Sequence, residues 1–243
     1  MSRFFVPKES VKGNIIHVAA DEAHHILDVM RLKVLDEVTV FDGTGKEYTG
    51  IVRAADRKTL EVQIKSMRES SVGRDSLLTL IQAITKKDKM DYIAEKATEL
   101  GVSRIIPVIT ERTIPEWNDE KKTSVVERWR KIAQEAAKQS GRLDIPEILP
   151  IRSFLECVKD IDDYDIKLIA ALSDRAIKIK DVLTGCNGVK IAIAIGPEGD
   201  FTPHEIEEAV KADFKVVNLG PLTLKSDTAG LAVLSIISYE RRD

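Results

Sequence analysis

At about residue 77 the hydrophobic pattern of this 243-residue chain changes period. Before that point apolar side chains alternate with polar ones in steps of two. After it, apolar runs of strand length alternate with segments whose apolar residues recur in steps of three and four. A period of two belongs to a half-buried sheet, and strand–helix alternation belongs to a mostly parallel sheet covered by helices. One core does not serve both patterns. The chain is therefore expected to form a small β-rich domain, a barrel, over residues 1–72, and an α/β domain over residues 73–243. The polar, glycine-containing stretch at residues 69–74 is expected to link them.

Within the first part, Val38, Val40, Tyr48 and Ile51 flank Asp42-Gly43-Thr44-Gly45, a hairpin signal. Leu60, Val62 and Ile64 alternate with Glu61, Gln63 and Lys65, and one short helix is expected over residues 21–30. In the second part strands are expected over residues 77–84, 104–109, 166–172, 189–195 and 215–219. Helices are expected over residues 86–100 and 123–140, the second ended by Gly141. Residues 228–239 carry no charge and should form a buried final helix.

Composition excludes more than it assigns. Hydrophobic residues make up 43% and charged residues 32%, which is globular rather than disordered. The uncharged run at residues 228–239 falls short of the roughly 18 residues that span a bilayer, so no membrane segment is expected. The first ten residues have no signal-peptide pattern. Cys157 and Cys186 are the only cysteines, with no CxxC pair, which fits a reducing cytoplasm. The motifs of P-loop, dinucleotide-binding, serine-elbow and zinc-protease sites are absent. The four histidines, His17, His24, His25 and His204, do not pair at metal spacing, and no metal is expected. A net charge of −3 gives no bulk signal for nucleic acid, so any such signal must be local.

Three local features carry chemistry. The run IAIAIGPEGDFTPHEIEEA reads as a buried strand, a tight Gly196-Pro197-Glu198-Gly199-Asp200 loop, and a helix opened by Thr202-Pro203-His204-Glu205. Ligands in open α/β sheets bind beyond the carboxyl ends of strands, where this loop must lie. Its two carboxylates argue against phosphate and suit a neutral or cationic ligand. A plain strand-to-helix turn would look the same. A second Gly-Pro loop follows the next strand, in VVNLGPLTLKSDTAG, and Leu219, Leu222 and Leu224 there suit a flat apolar ring or, equally, a core. Finally, residues 121–142 hold seven basic and two acidic side chains on a two-faced helix. Val125, Trp129, Ile132, Ala133 and Ala136 form its apolar stripe. Arg128, Lys131, Glu135, Lys138 and Arg142 recur on another face, as a stripe that follows a phosphate backbone or as a solvated surface.

With those motifs in order along it, the whole chain resembles the 16S ribosomal RNA uridine-N3 methyltransferase family of SPOUT methyltransferases. The resemblance runs through HHILDVMRLKVLDEVTVFDG, EKATELGVSRIIPVITERT, RWRKIAQEAAKQSGRLDIPEI, IGPEGDFTPHEIE and LGPLTLKSDTAGLAVL. It implies a PUA-like RNA-binding barrel followed by a SPOUT α/β domain with a C-terminal trefoil knot. It also implies a homodimer, S-adenosyl-methionine as cofactor, and N3-methyluridine in small-subunit ribosomal RNA as product. The cofactor walls it implies are Ala171 and Leu172, then Ile195, Gly196, Pro197, Glu198 and Gly199. The third wall is Leu219, Gly220, Leu222, Leu224, Ser226 and Thr228. Lys225, on the pocket loop, is the candidate cation beside the uracil oxygens, and Glu198 is the candidate to order the loop or the ligand or to assist proton removal. RNA is expected along Arg31, Lys33, Arg112, Arg128, Lys131, Lys138 and Arg142. Two departures stand out: Asp200 where the family usually has a further glycine, and Leu222 with Lys225-Ser226-Asp227 where it usually carries two arginines. Those departures leave two rivals, a SPOUT enzyme acting on another RNA site and a non-catalytic RNA-binding assembly factor.

Overall fold

The computed structural model describes residues 3–55, 59–70, 77–86, 89–113, 117–184 and 189–241. Most of the expected linker, residues 71–74, lies outside the described residues, as does Cys186. The chain forms two compact units. One is Met1–Ser71 with Gln134–Ile145, the other Val72–Ala133 with Pro146–Asp243.

The first unit is a six-stranded sheet. Its strands are β1 (Arg3–Phe5), β2 (Val11–Lys12), β3 (Ile15–Val18), β4 (Glu37–Phe41), β5 (Lys46–Ala55) and β6 (Leu60–Glu69), in the order β1-β4-β5-β6-β3-β2. Only β1 and β4 run parallel. The expected hairpin joins β4 to β5, where the Asp42 carboxylate accepts from the Thr44 and Lys46 N–H groups at 2.9 and 3.3 Å. Alternate residues, Val40, Val52, Leu60 and Val62 among them, are fully buried together with Phe4 and Ile16. The helix expected at 21–30 is built in two pieces. It runs as α1 (Ala20–His24) and then widens into a π turn at His25–Val29, closed by Met30 N–H to the His25 carbonyl at 3.0 Å. Nothing in the apolar spacing marks that widening.

The second unit is an eight-stranded sheet. It comprises β7 (Leu78–Ala83), α2 (Lys89–Glu99), β8 (Arg104–Ile109), α3 (Asp119–Ser140, whose last turns fall in the first unit), β9 (Glu147–Ile148) and β10 (Arg152–Ser153). These lead to α4 (Phe154–Lys159), β11 (Ile166–Ala170), β12 (Ile177–Lys178), α5 (Ile179–Leu183) and β13 (Ile191–Ile195), and on to α6 (Pro203–Lys211), β14 (Lys215–Asn218) and α7 (Ser226–Glu240). The order is β10-β8-β7-β13-β11-β14-β12, with β9 also on β8, and every pairing is parallel. Both faces of a parallel sheet need cover, and β13 shows how the sequence supplies it. Ile191, Ile193 and Ile195 join the cluster that holds α2, α3 and α7, while Ala192 and Ala194 join the one that holds α4 and α6.

One expectation needs correction. Helix α7 is not buried all round. It buries Ser226, Ala229, Gly230, Val233, Leu234 and Ile237, a stripe in steps of three and four. Thr228, Ser235 and Tyr239 stay exposed and Ala232 half-exposed.

Candidate functional site

Strands β13, β11 and β14 lie side by side in the sheet, so their three carboxyl-end loops open on one edge. Together these loops enclose a cavity of about 300 Å³, within the ordinary range of small-molecule sites. The cavity is lined by Ala171 and Leu172 after β11, by Ile195, Gly196, Pro197 and Glu198 after β13, and by Leu219, Gly220, Leu222, Leu224 and Ser226 after β14. Lys225, at the N-cap of α7, lines it as well. Gly199 and Thr228 are not among the lining residues. A side chain at Gly199 would meet Arg112, and Thr228 is exposed on α7. Thr223 lines the cavity with the rest of its loop; Ala170, Val217, Asn218 and Ala229 also line it and were not expected, and Asp200 was named in the loop but not among the cofactor walls. For Asp200 the signal was present, in its departure from glycine.

The strand-to-helix turn after β13 is held tightly. A Cβ on Gly196 would stand 3.2 Å from the Phe201 backbone nitrogen, so only glycine leaves this turn undisturbed. Thr202 and Glu205 close the expected capping box, and the Glu205 carboxylate also accepts from the Glu111 N–H at 2.9 Å. Arg112 donates to the Gly199 carbonyl at 2.6 Å, fixing the loop from the β8 side. Asp200 has a left-handed backbone, φ +61°, and its carboxylate spans two walls. One oxygen accepts from its neighbour Phe201 N–H at 2.8 Å, the other from Leu172 N–H at 2.9 Å.

Beneath the rim runs a buried chain. Gln82, at the end of β7, donates to the Ser226 hydroxyl at 3.0 Å, and that hydroxyl donates to the Gly196 carbonyl at 2.5 Å. Glu198 faces a cation that the sequence reading did not name. Its carboxylate accepts from the Lys89 ammonium at 3.1 Å and from the Lys86 N–H at 3.3 Å, and Asp227 stands 3.8 Å from the same ammonium. Burial pushes the Glu198 carboxyl up. Hydrogen bonds from its own backbone, from Lys89 and from Lys86 outweigh that and hold it below the ordinary carboxylate range. A carboxylate so stabilised is a weak base. The buried Cys157 thiol is pushed by desolvation up to about 12, which removes it as a nucleophile at neutral pH. Among the described residues no cluster of His, Cys, Asp and Glu is grouped to hold a metal, and no helix is long and apolar enough to cross a membrane.

A family model described as an RNA methyltransferase domain matches residues 74–238, and one described as an RNA methyltransferase PUA domain matches residues 18–65. The ribosomal RNA small subunit methyltransferase E of Bacillus subtilis is 28% identical over 99% of this chain and 97% of its own. The crystal structure of the Neisseria gonorrhoeae ribosomal RNA small subunit methyltransferase E, bound to S-adenosyl methionine, is similar to this chain with a TM-score of 0.87 and 32% identity. That likeness covers 99% of this chain and 98% of the other. A putative methyltransferase from Legionella pneumophila, solved with the same cofactor, gives a TM-score of 0.86 at 29% identity over 99% and 98%.

This chain belongs to the ribosomal RNA small subunit methyltransferase E family. The model described as an RNA methyltransferase domain falls mostly on the α/β unit, and the one described as an RNA methyltransferase PUA domain falls on the first unit. The basic residues expected to meet RNA are placed unevenly. Arg31 and Lys33 are exposed after the π turn, and Lys131 is exposed on α3. Arg128 is half-exposed and pairs with Asp91 at 2.9 Å. Lys138 is nearly covered between Glu22 at 2.6 Å and Glu135 at 3.2 Å, and Arg142 pairs with Asp144 at 2.5 Å. Arg112 is exposed and donates to the Gly199 carbonyl.

Proposed function

We propose that this protein transfers the methyl group of S-adenosyl-methionine to N3 of a uridine in 16S ribosomal RNA of the small ribosomal subunit. One observation carries the reading: three strand-end loops rich in backbone groups enclose a cavity, in a chain whose relatives hold that cofactor in the same fold. S-adenosyl-methionine supplies an electrophilic methyl on a sulfonium and needs no metal. This chain's residues hold the donor, exclude water and order the uracil for in-line approach. Lys225 at the cavity wall stabilises the uracil oxygens as N3 loses its proton and charge develops. Glu198 acts by position, pinning its loop to Lys86 and Lys89, since its lowered pKa makes it a poor proton acceptor.

The uncharged exposed stripe of α7, with Leu172 and Leu222 at 71% and 77% exposure on the cavity wall, supports a homodimer whose partner covers that edge. The C-terminal segment is read as threaded into a trefoil knot. The RNA path we infer uses Arg31, Lys33, Arg112, Arg128 and Lys131, those of the basic residues expected to meet RNA that are exposed. The test is tritiated methyl transfer from S-adenosyl-methionine to small subunits that lack the modification, followed by nucleoside mapping. Label in N3-methyluridine of 16S RNA is the expected result; label in another nucleoside, or none, overturns the reading.

A further inference from the structure

Of the two carboxylates on the cavity wall, only one is neutralised in place. Glu198 is paired with Lys89 at 3.1 Å. Among the described residues Asp200 has no ion-pair partner; its two oxygens are taken by the N–H groups of Phe201 and Leu172. A carboxylate accepts at both oxygens without a proton to place, whereas an amide there has one acceptor and would turn its NH₂ against the other N–H. The two bonds fix this negative charge at the cavity, and they do so at a backbone φ of +61°, a conformation that aspartate tolerates and glycine adopts without cost. A chain that needed only the turn would do better with glycine.

We infer that Asp200 makes this pocket prefer the cationic sulfonium donor over the neutral thioether left after transfer. The inference rests on the proposed use of S-adenosyl-methionine. In that reaction the bond from N3 to the methyl carbon forms as the sulfur–methyl bond breaks. The electron pair returns to sulfur, and the N3 proton leaves to solvent. The ligand therefore loses one positive charge during turnover, while Asp200 keeps its negative charge beside it. Attraction in a partly enclosed site is stronger than in bulk water, so its loss loosens the product selectively and speeds its exchange for fresh donor. Lys225 on the same wall opposes this, so the preference depends on the balance of the two groups.

Calorimetry on the full chain with S-adenosyl-methionine and with S-adenosyl-homocysteine, for the wild type, Asp200→Gly and Asp200→Asn, tests it. Both substitutions accept a left-handed backbone, and both give up the bond to Leu172 along with the charge, so binding of the homocysteine form measures the lost tie and the difference between the two ligands measures the lost charge. The expected result is that both variants lose affinity for the methionine form by about three- to tenfold, while affinity for the homocysteine form changes less than about twofold. The difference should shrink as salt is raised. Equal losses for both ligands would make Asp200 a mere tie between loops and overturn the inference, as would an unchanged ratio. A wild type that binds neither ligand would overturn the proposed function itself, and this inference with it.

Discussion

Gln82 joins the two Gly-Pro loops to the sheet without touching the cavity. It is fully buried, it donates to Ser226 and to the Ala83 carbonyl, each at 3.0 Å, and through Ser226 it reaches the Gly196 carbonyl. Its own side-chain oxygen has no partner among the described residues and faces Gly230, where an added Cβ would stand 3.1 Å from it. The closeness of α7 to β7 at this point therefore depends on Gly230. Gln82→Met keeps the volume and removes the chain, which should cost about 1–3 kcal/mol of stability and weaken S-adenosyl-methionine binding about tenfold. Thermal unfolding and calorimetry read the two effects, and an unchanged affinity at lowered Tm would reduce Gln82 to packing. Lys225 makes the opposite prediction. It is exposed at the N-cap of α7, and among the described residues no hydrogen bond from its side chain holds the loop. Lys225→Met should lower kcat by about a hundredfold, as removal of one charge-stabilising donor does, with cofactor affinity changed less than about twofold. Equal falls in both would remove its assigned role.

Glu47 binds three strands of the first unit together. It sits on β5 at 8% side-chain exposure, accepts from Arg3 of β1 at 2.6 Å, and pairs with Arg68 of β6. Burial pushes its carboxyl up, but the hydrogen bonds and charges of Arg68 and Arg3 prevail and the pKa lies below its ordinary 4.5. A depressed carboxyl contributes stability that is present above the unfolded value and lost as pH falls through the folded one. The gap in Tm between the wild type and Glu47→Gln should accordingly be full at pH 7 and close on acidification below about pH 4.5. A gap that persists at pH 3 would mean the residue acts through shape alone. Legibility at this scale follows the range of the interactions involved. The hairpin after β4, the box that opens α6 and the alternation of β13 are set by residues within a few positions of one another, and all three stand in the sequence. Two of the three cavity walls were legible for the same reason, because a Gly-Pro turn after an apolar strand is a local signal. The pairing of Lys89 with Glu198 and the bond from Asp200 to Leu172 were not, since they join positions 109 and 28 residues apart. The basic stripe of α3 failed partially in the same way: its spacing was correct, yet Glu22, Asp91 and Asp144 claim three of its charges.

For the molecule as a whole, the decisive surface is the outer face of α7. Residues 228–239 carry no charge in a chain that is 32% charged, yet Thr228, Ser235 and Tyr239 face outward. Solvent does not require such neutrality, and a monomer gains nothing by avoiding Lys and Glu there. A second copy does require it, because an unpaired charge buried in an interface is costly. The small side chains of Thr228, Ala232 and Ser235 allow a partner helix close approach, and Tyr239, at 71% exposure, supplies apolar area. Ser235→Arg places a charge at an exposed position, so the single chain should fold with its stability changed by less than about 0.5 kcal/mol. The proposed dimer should not survive it. Sedimentation of the wild type is expected to give twice the chain mass at micromolar concentration, and the variant the mass of one chain with its thermal unfolding lowered by loss of association. If the partner also covers Leu172 and Leu222 on the cavity wall, the variant loses cofactor affinity in the same step. A wild type that sediments as one chain, or a variant that remains a dimer, would leave the neutrality of α7 without this cause.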